Sequence, residues 1–475
     1  MNASLKLSSH FATPEAKARV ALAIEQLRQE FGDRLSVGAA VREQHGRGEA
    51  YARCFPPDAV IWPMSTAEVS RIVKLCNEQG VPVIAYGAGT SLEGHVSAPY
   101  GGICLDMSRM NQVLKVRSDD GDCVVQPGIT REELNAYLRD TGLYFPIDPG
   151  ANASIGGMIS TRASGTNTIR YGTMAHNVFA LEVVLANGEV IRCGSRARKS
   201  SAGYDLVRMF TGSEGTLGII TEATLRLHAQ PEAVGSSVCS FPDLRGAVDT
   251  VIELIQIGAP VSRIEFLDEL QVRASNAYSN LSLPEQPTLF IEFMGTQAAV
   301  TEQFERAVEV VTSHGAKGLE WAFDEQRRAQ LWKARHSAYF AARALKPGAE
   351  CIAADVCVPI SELANCVTQT RADIDAAGLT APILGHVGDG NFHVLFLIDP
   401  NNDEERARMD AVYGAMIATA HRLGGTCTGE HGIGLGKREK LIAEFGPPVI
   451  ELMRKLKQAW DPNGILNPGK VFEIR

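Results

Sequence analysis

Between Asp148 and Met174 the chain reads DPGANASIGGMISTRASGTNTIRYGTM, placing five glycines and seven serines or threonines in 27 residues. Glycine loses more backbone freedom on folding than any other residue, and small hydroxyl side chains compete with helix and sheet ladders for backbone partners. Such a run forms neither a long helix nor a central strand, and ordering it as loop costs about 1–2 kcal/mol per residue. A large polar ligand bonded along the loop offsets that cost. Two other stretches share the texture: AYGAGTSLEGH (85–95), after the apolar strand VPVIAYG, and TGSEGTLGIIT (211–221). In the first, Gly87, Gly89 and Gly94 let the backbone approach a ligand and Thr90 and Ser91 add hydroxyl donors, an amide nest suited to a pyrophosphate. The spacing is neither Gly-x-Gly-x-x-Gly nor Gly-x4-Gly-Lys-Ser/Thr, which excludes the Rossmann and Walker loops. Taken singly, each stretch reads equally as a structural glycine turn. Three of them, each entering or leaving a strand, point to one extended ligand crossing all three.

At 475 residues the chain exceeds one core of about 250–300 residues. Residues 1–55 read as a helical segment, with an amphipathic helix over 14–31 capped by Thr13. Residues 56–230 read as an α+β domain rich in glycine turns, in which Ser65 opens a helix that Gly80 stops. Over 231–420, stretches such as RGAVDTVIELIQIG, PTLFIEFMG and NFHVLFLI alternate helix with strand, the pattern of a sheet covered by helices on one face. Residues 421–475 form a largely helical tail. A net charge of −9 without a dense basic run excludes nucleic acid as a partner. No apolar stretch of about 18 residues suits a membrane span, and the opening residues resemble neither a signal nor a transit peptide. Ten cysteines scattered without a CxxC argue against an iron–sulfur or c-type haem site. They favour a reducing cytoplasm, with the protein either free or peripheral to the inner membrane.

A second chemical signal lies in GHVGDGNFHV (385–394). Asp-Gly between apolar flanks predicts a type I′ hairpin turn centred on Asp389 and Gly390. Counting outward sets His386 opposite His393, with Cβ atoms roughly 5 Å apart. That geometry suits two ligands of one metal ion, and equally a half-buried histidine pair at a sheet edge. A helix later, TGEHGIGLGK supplies Glu430 and His431. Two histidines and a carboxylate make a divalent-metal set with positions left for substrate. Without a metal, Glu430 and His431 would simply cap a glycine turn.

The motifs GAGTSLEGH, DPGANASIGGMISTRASGTNTIRYGTM, KSSAGYDL, GSEGTLGIIT, GHVGDGNFH, GEHGIGLGK and NPGK together resemble the FAD-linked oxidase family, in its branch of cytochrome-type D-lactate dehydrogenases and glycolate oxidase flavoproteins. The resemblance runs from about residue 50 to the C-terminus. It implies an α+β fold with a two-subdomain, PCMH-type FAD-binding domain, a ferredoxin-like cap for substrate and a helical C-terminal segment returning to the active site. It implies non-covalent FAD, held at the pyrophosphate by Gly87, Ala88, Gly89, Thr90 and Ser91. Pro149, Gly150, Ser154, Gly157, Ser160, Ser164 and Gly165 would line the rest of the dinucleotide. Glu214, Gly218 and Ile220 would lie along its adenosine and isoalloxazine ends, with Asn467 entering from the tail. His386, His393 and Glu430 would bind zinc or manganese, and His431 would take the proton of the substrate hydroxyl. Arg335, in LWKARHSAYF, matches the substrate-contacting position, and Tyr339 follows one turn on. The bland alternative for Arg335 is a salt-bridging surface arginine.

The resemblance implies oxidation of a 2-hydroxy acid: hydride from C2 to the flavin, proton from the hydroxyl to a base. Relatives acting on D-2-hydroxyglutarate carry a lysine in the strand aligned with AADVCVP and an asparagine two residues after the second metal histidine. Here the strand has no lysine and the second position is Leu395, placed by the expected register opposite Leu384. An apolar wall favours D-lactate or a bulkier 2-hydroxy monocarboxylate over a dicarboxylate. The alternatives are a glycolate oxidase flavoprotein, a D-2-hydroxyglutarate dehydrogenase, and a transferase like alkyl-dihydroxyacetone-phosphate synthase, for which no phosphate-binding basic cluster adjoins the histidines. The electron acceptor, whether quinone, cytochrome or electron-transfer flavoprotein, leaves no motif. A homodimer is compatible with the sequence.

Overall fold

A computed structural model describes residues 11, 13–49, 51 and 53–473, so the reading of the first ten residues lies outside it. The chain divides into two compact units, one of Met1–Ala163, Thr173–Ala229 and Glu430–Arg475, the other of Ser164–Gly172 and Gln230–Gly429.

Among the described residues, the first unit contains two larger sheets and a two-stranded pair, Leu143–Tyr144 with His228–Ala229. Its opening helix, Pro14–Phe31, starts where the sequence predicts, with the Thr13 hydroxyl accepting from Ala16 N at 3.1 Å. The helix Thr66–Gln79 follows its Ser65 cap and ends at Gly80, which is left-handed at φ 62°. Ala23, Leu27 and Phe31 of the first helix and Val69, Ile72 and Val73 of the second share one buried cluster. Strands from a four-stranded sheet join that cluster, in the order Leu35–Ser36, Ala59–Ile61, Ile103–Asp106, Val83–Tyr86. The last three strands run parallel. A five-stranded antiparallel sheet follows, ordered Val113–Arg117, Asp122–Val125, Ile219–Arg226, Val178–Val184, Val190–Gly194. Its core includes Leu134, Phe145, Met158 and Phe210. These are the two expected subdomains. The C-terminal tail belongs to the first: Val83 N donates to Ile465 O and Asn467 N to Val83 O, both at 2.8 Å.

The second unit is built on one seven-stranded antiparallel sheet, ordered Lys317–Ala322, Ala233–Ser240, Thr288–Gly295, Val261–Leu267, Ile383–Gly385, Asn391–Ile398, Glu350–Cys357. Helices cover both of its faces, where the sequence suggested one. On one face Phe304 of the helix Gln297–Ser313 meets Phe293 and Trp321 edge-on, and a Cβ at Gly235 would strike its ring at 2.2 Å. On the other, Val238, Phe290, Leu384 and Leu395 share a buried cluster with Val272, Trp332, Ala334 and Ala338 from three further helices. Strands with apolar residues on both sides carry no clean alternation, so the second helical layer escaped a reading based on periodicity.

The hairpin at Asp389–Gly390 also differs from expectation. Val387–Asp389 form a 3-10 turn closed by Gly390 at φ 76°, and His393 pairs with Leu384 rather than His386. The register is set elsewhere. Asn391–Ile398 pairs along its whole length with Glu350–Cys357 but through only two residues with Ile383–Gly385. The long ladder outweighs the local turn preference.

Candidate active site

In the first unit, the strand Val83–Tyr86 delivers Gly87 into the glycine loop, and Ser154 precedes the short helix Ile155–Thr161. A Cβ at Gly87 would sit 2.1 Å from Ser154 Oγ, so any larger residue would displace that hydroxyl. The hydroxyls of Ser154 and Ser91 are buried and make no hydrogen bond among the described residues. Leaving such groups unpaired costs about 1–3 kcal/mol each, which a ligand with acceptor oxygens would recover. Gly157 adjoins the same hydroxyl, 3.0 Å from it by the same construction. Thr90 is partly exposed, and Pro149 and Gly150 lie on the rim of the neighbouring loop.

Other expected FAD residues face the protein itself. The Ser160 hydroxyl donates to Gly156 O, and its carbonyl accepts from Glu214 N at 2.8 Å. Glu214 turns its carboxylate to the amides of Ile433 and Gly434, at 2.7 and 2.8 Å. His95 Nε2 lies 3.3 Å away, near enough for electrostatic pairing. Burial pushes the Glu214 carboxyl up, but His95 and the two amides outweigh it and hold the group below the usual glutamate range. Asn467 donates to the carbonyls of His95 and Glu214 and accepts from Lys470, pinning the tail to the end of the glycine loop. Gly218 is a packing glycine against Val183 and Phe210, and the Ile220 side chain belongs to the core. Ser164 and Gly165 fall in the segment that packs with the second unit.

The segment Glu430–Gly434 also belongs to the first unit. A Cβ at Gly432 would come within 2.8 Å of His95 Nε2 and 2.9 Å of Glu214 Oε1. His431 is therefore one residue from the glycine loop's end, with its Nε2 4.0 Å from Glu430 Oε1.

The second unit brings together His386, His393 and Arg335. The two rings stand perpendicular, 5.3 Å between centroids, and each offers a nitrogen within 4.8 Å of the other's. The slipped register thus leaves the pair intact, because His386 sits in the turn rather than in the strand. Behind each ring lies a buried carboxylate that sequence reasoning missed. Glu265 Oε1 is 2.7 Å from His386 Nδ1, and Asp355 Oδ1 is 3.4 Å from His393 Nδ1. Glu265 also accepts from Arg335 Nε at 2.6 Å. Burial raises the Glu265 carboxyl, and Arg335 and His386 more than reverse this. Asp355 further accepts from Asn391 Nδ2, the Thr428 hydroxyl and Gly429 N, and so fixes the residue just before Glu430. The available signal was an acid amid an apolar strand, in VSRIEFL and in AADVCV. Such a residue is rarely buried unless paired.

Arg335 ends the helix Glu325–His336, which breaks at Ser337 before Ala338–Ala344. Tyr339 is therefore on the next helix, where its ring packs against Phe340 and under Arg343. Leu384 and Leu395 are both buried but do not face each other as expected: Leu384 pairs with His393, and Leu395 pairs with Ala353 of the neighbouring strand.

Comparison with known proteins decides the family. A family model described as FAD linked oxidases, C-terminal domain, matches residues 230–471, and one described as FAD binding domain matches 57–194. The chain belongs to the FAD-linked oxidases. A protein of Danio rerio named probable D-lactate dehydrogenase, mitochondrial, is 50% identical over 461 residues, 96% of this chain and 93% of the relative. Glycolate oxidase subunit GlcD of Bacillus subtilis is 36% identical, over 88% of this chain and 89% of its own. The crystal structure of p-cresol methylhydroxylase superposes with a TM-score of 0.77 at 20% identity, covering 96% of this chain and 98% of that one, and alkyldihydroxyacetonephosphate synthase with 0.73 at 22%, covering 94% and 84%. Those likenesses speak for the fold alone. This FAD-linked oxidase takes FAD as its cofactor, and the orphaned hydroxyls beside Gly87 fit a pyrophosphate. Among the described residues, no helix is long and apolar enough to cross a membrane.

Proposed function

We propose that the protein oxidises a D-2-hydroxy monocarboxylate, D-lactate foremost, to the 2-oxo acid. The observation that carries this reading is the convergence of His386, His393 and Arg335 on buried carboxylates in one unit. Each histidine has a carboxylate behind Nδ1, which favours protonation there and leaves Nε2 as a ligand atom, the carboxylate–histidine–metal pattern. Glu430, following directly on the anchored Gly429, completes the set for zinc or manganese. A divalent ion there, when bound, supplies Lewis acidity toward the substrate hydroxyl.

Among the described residues Arg335 has only its Nε tied to the protein, so its terminal nitrogens are available to hold the substrate carboxylate in a planar fork. His431 accepts the hydroxyl proton as C2 becomes a carbonyl carbon. FAD, when bound, supplies the acceptor for the C2 hydride. Tyr339 closes the carboxylate end. FAD is held without a covalent bond, and His95 is engaged with Glu214 instead. Electrons then pass to a quinone, cytochrome or electron-transfer flavoprotein. The curated relative's name, D-lactate dehydrogenase, and the apolar Leu384 and Leu395 beside His393 support the substrate. Ten cysteines scattered without a CxxC fit a reducing compartment.

The test is anaerobic mixing of the yellow protein with D-lactate, L-lactate, glycolate and D-2-hydroxyglutarate while the visible flavin band is followed. D-Lactate should bleach it fastest, and removing the metal with a chelator should slow the bleaching. Equal rates with both lactate enantiomers, or none with D-lactate, would sink the reading.

A further inference from the structure

Glu265 lies mid-strand in Val261–Leu267, fully buried, opposite Phe290. A charge in such a place gains nothing for stability over a well-packed apolar side chain, so its partners are what explain it. Those partners are His386 and Arg335, one on each oxygen. We propose that Glu265 is a positioning residue that couples substrate-carboxylate binding to metal binding. The inference rests on the function proposed above and deepens it.

An ionised carboxylate accepts from both groups at once. It holds the proton on His386 Nδ1, so that Nε2 keeps its lone pair for a metal. It also anchors Arg335 through Nε, which fixes the plane of the guanidinium and leaves its other two nitrogens for substrate. Moving either partner drags the shared carboxylate and disturbs the other.

Glutamine at this position has one acceptor oxygen. If that oxygen stays with Arg335, the amide N–H faces His386 Nδ1, and the imidazole proton must move to Nε2, blocking the ligand atom. If it turns to His386, two donors face each other at Arg335 and the fork is displaced. A residue that only filled space would cause neither defect.

The experiment compares wild type, His386→Ala and Glu265→Gln as flavin-loaded full-length proteins, measuring manganese affinity by equilibrium dialysis and KM for D-lactate. Glu265→Gln should retain its flavin and weaken manganese binding about 10–100-fold, the usual cost of losing an outer-shell partner, or raise KM at least tenfold. Wild-type manganese affinity together with wild-type KM overturns the coupling. Should the variant fail to fold, nitrogen NMR of His386 in metal-stripped wild type decides: an Nδ1-protonated ring supports the proposal and an Nε2-protonated ring refutes it. If wild type binds no manganese that His386→Ala abolishes, the proposed metal site itself is wrong. If His386→Ala abolishes binding but Glu265→Gln changes nothing, only the coupling is.

Discussion

Replacing Glu214 by glutamine should loosen the segment that carries Glu430 and His431. The carboxylate accepts from the amides of Ile433 and Gly434 in a buried site. A carboxamide keeps one acceptor and turns an N–H toward the second amide. Leaving that amide unsatisfied costs about 1–3 kcal/mol, and the surviving bond loses roughly 1 kcal/mol of charge assistance, so the variant should be about 2–4 kcal/mol less stable at pH 7. Urea unfolding followed by circular dichroism measures this. The pH dependence gives a second check. Because the folded carboxyl lies below its ordinary value of 4.5, its contribution is fully present above about 4.5 and is lost as pH falls toward the folded value. The gap between wild type and variant should therefore narrow on acidification below about 4.5. A gap under about 0.5 kcal/mol at pH 7, or one unchanged down to pH 3.5, would refute the two-amide clamp.

Two further substitutions address the cofactor cradle and the substrate wall. Gly87→Val puts a carbon 2.1 Å from Ser154 Oγ, displacing that hydroxyl, and should leave a folded protein with little flavin, read from the ratio of flavin to protein absorbance; full flavin content would show that the two loops do not form the cradle. Leu395→Asn with Ala353→Lys places two polar groups on the face of His393, and should shift kcat/KM toward D-2-hydroxyglutarate at least tenfold relative to D-lactate; an unchanged ratio would remove the wall as a specificity element.

The first unit was largely legible because its signals are local. Thr13, Ser65 and Gly80 each do their capping within a turn of their own position. The glycine loop after Val83–Tyr86 lies where its sequence puts it, directly behind an apolar strand, because strand and loop are neighbours in the chain. The second unit depended on partners far away in sequence. Glu265 and His386 are 121 positions apart, and nothing local says that an acid in one strand orients an imidazole in a later turn. The Asp389–Gly390 turn failed for a related reason: Asn391 is held by Asp355 and Val356 from the neighbouring strand, and that ladder overrode the preference of two turn residues. From the sequence, Arg335 and Tyr339 read as one turn apart on a single helix; the break at Ser337 escapes that reading because alanine and arginine continue on both sides of it.

The tail that stitches Leu466 and Asn467 to Val83 has a consequence for synthesis. Residues 230–429 supply all but one short segment, Ser164–Gly172, of a compact unit and leave the ribosome as a continuous block after that segment, so they can collapse as soon as they emerge. The FAD-binding unit has no such option. Its first sheet receives a parallel rung from residues made almost four hundred positions later, and Lys470 reaches the Ser97 carbonyl at 2.6 Å from the same late segment. The nascent chain must therefore carry an unfinished flavin unit until residues 465–470 have been made. That is a long interval in which buried serines and glycine loops stand open to solvent. Removing the last dozen residues should produce a chain whose inserted unit folds normally and whose flavin unit remains permanently in its half-synthesised state.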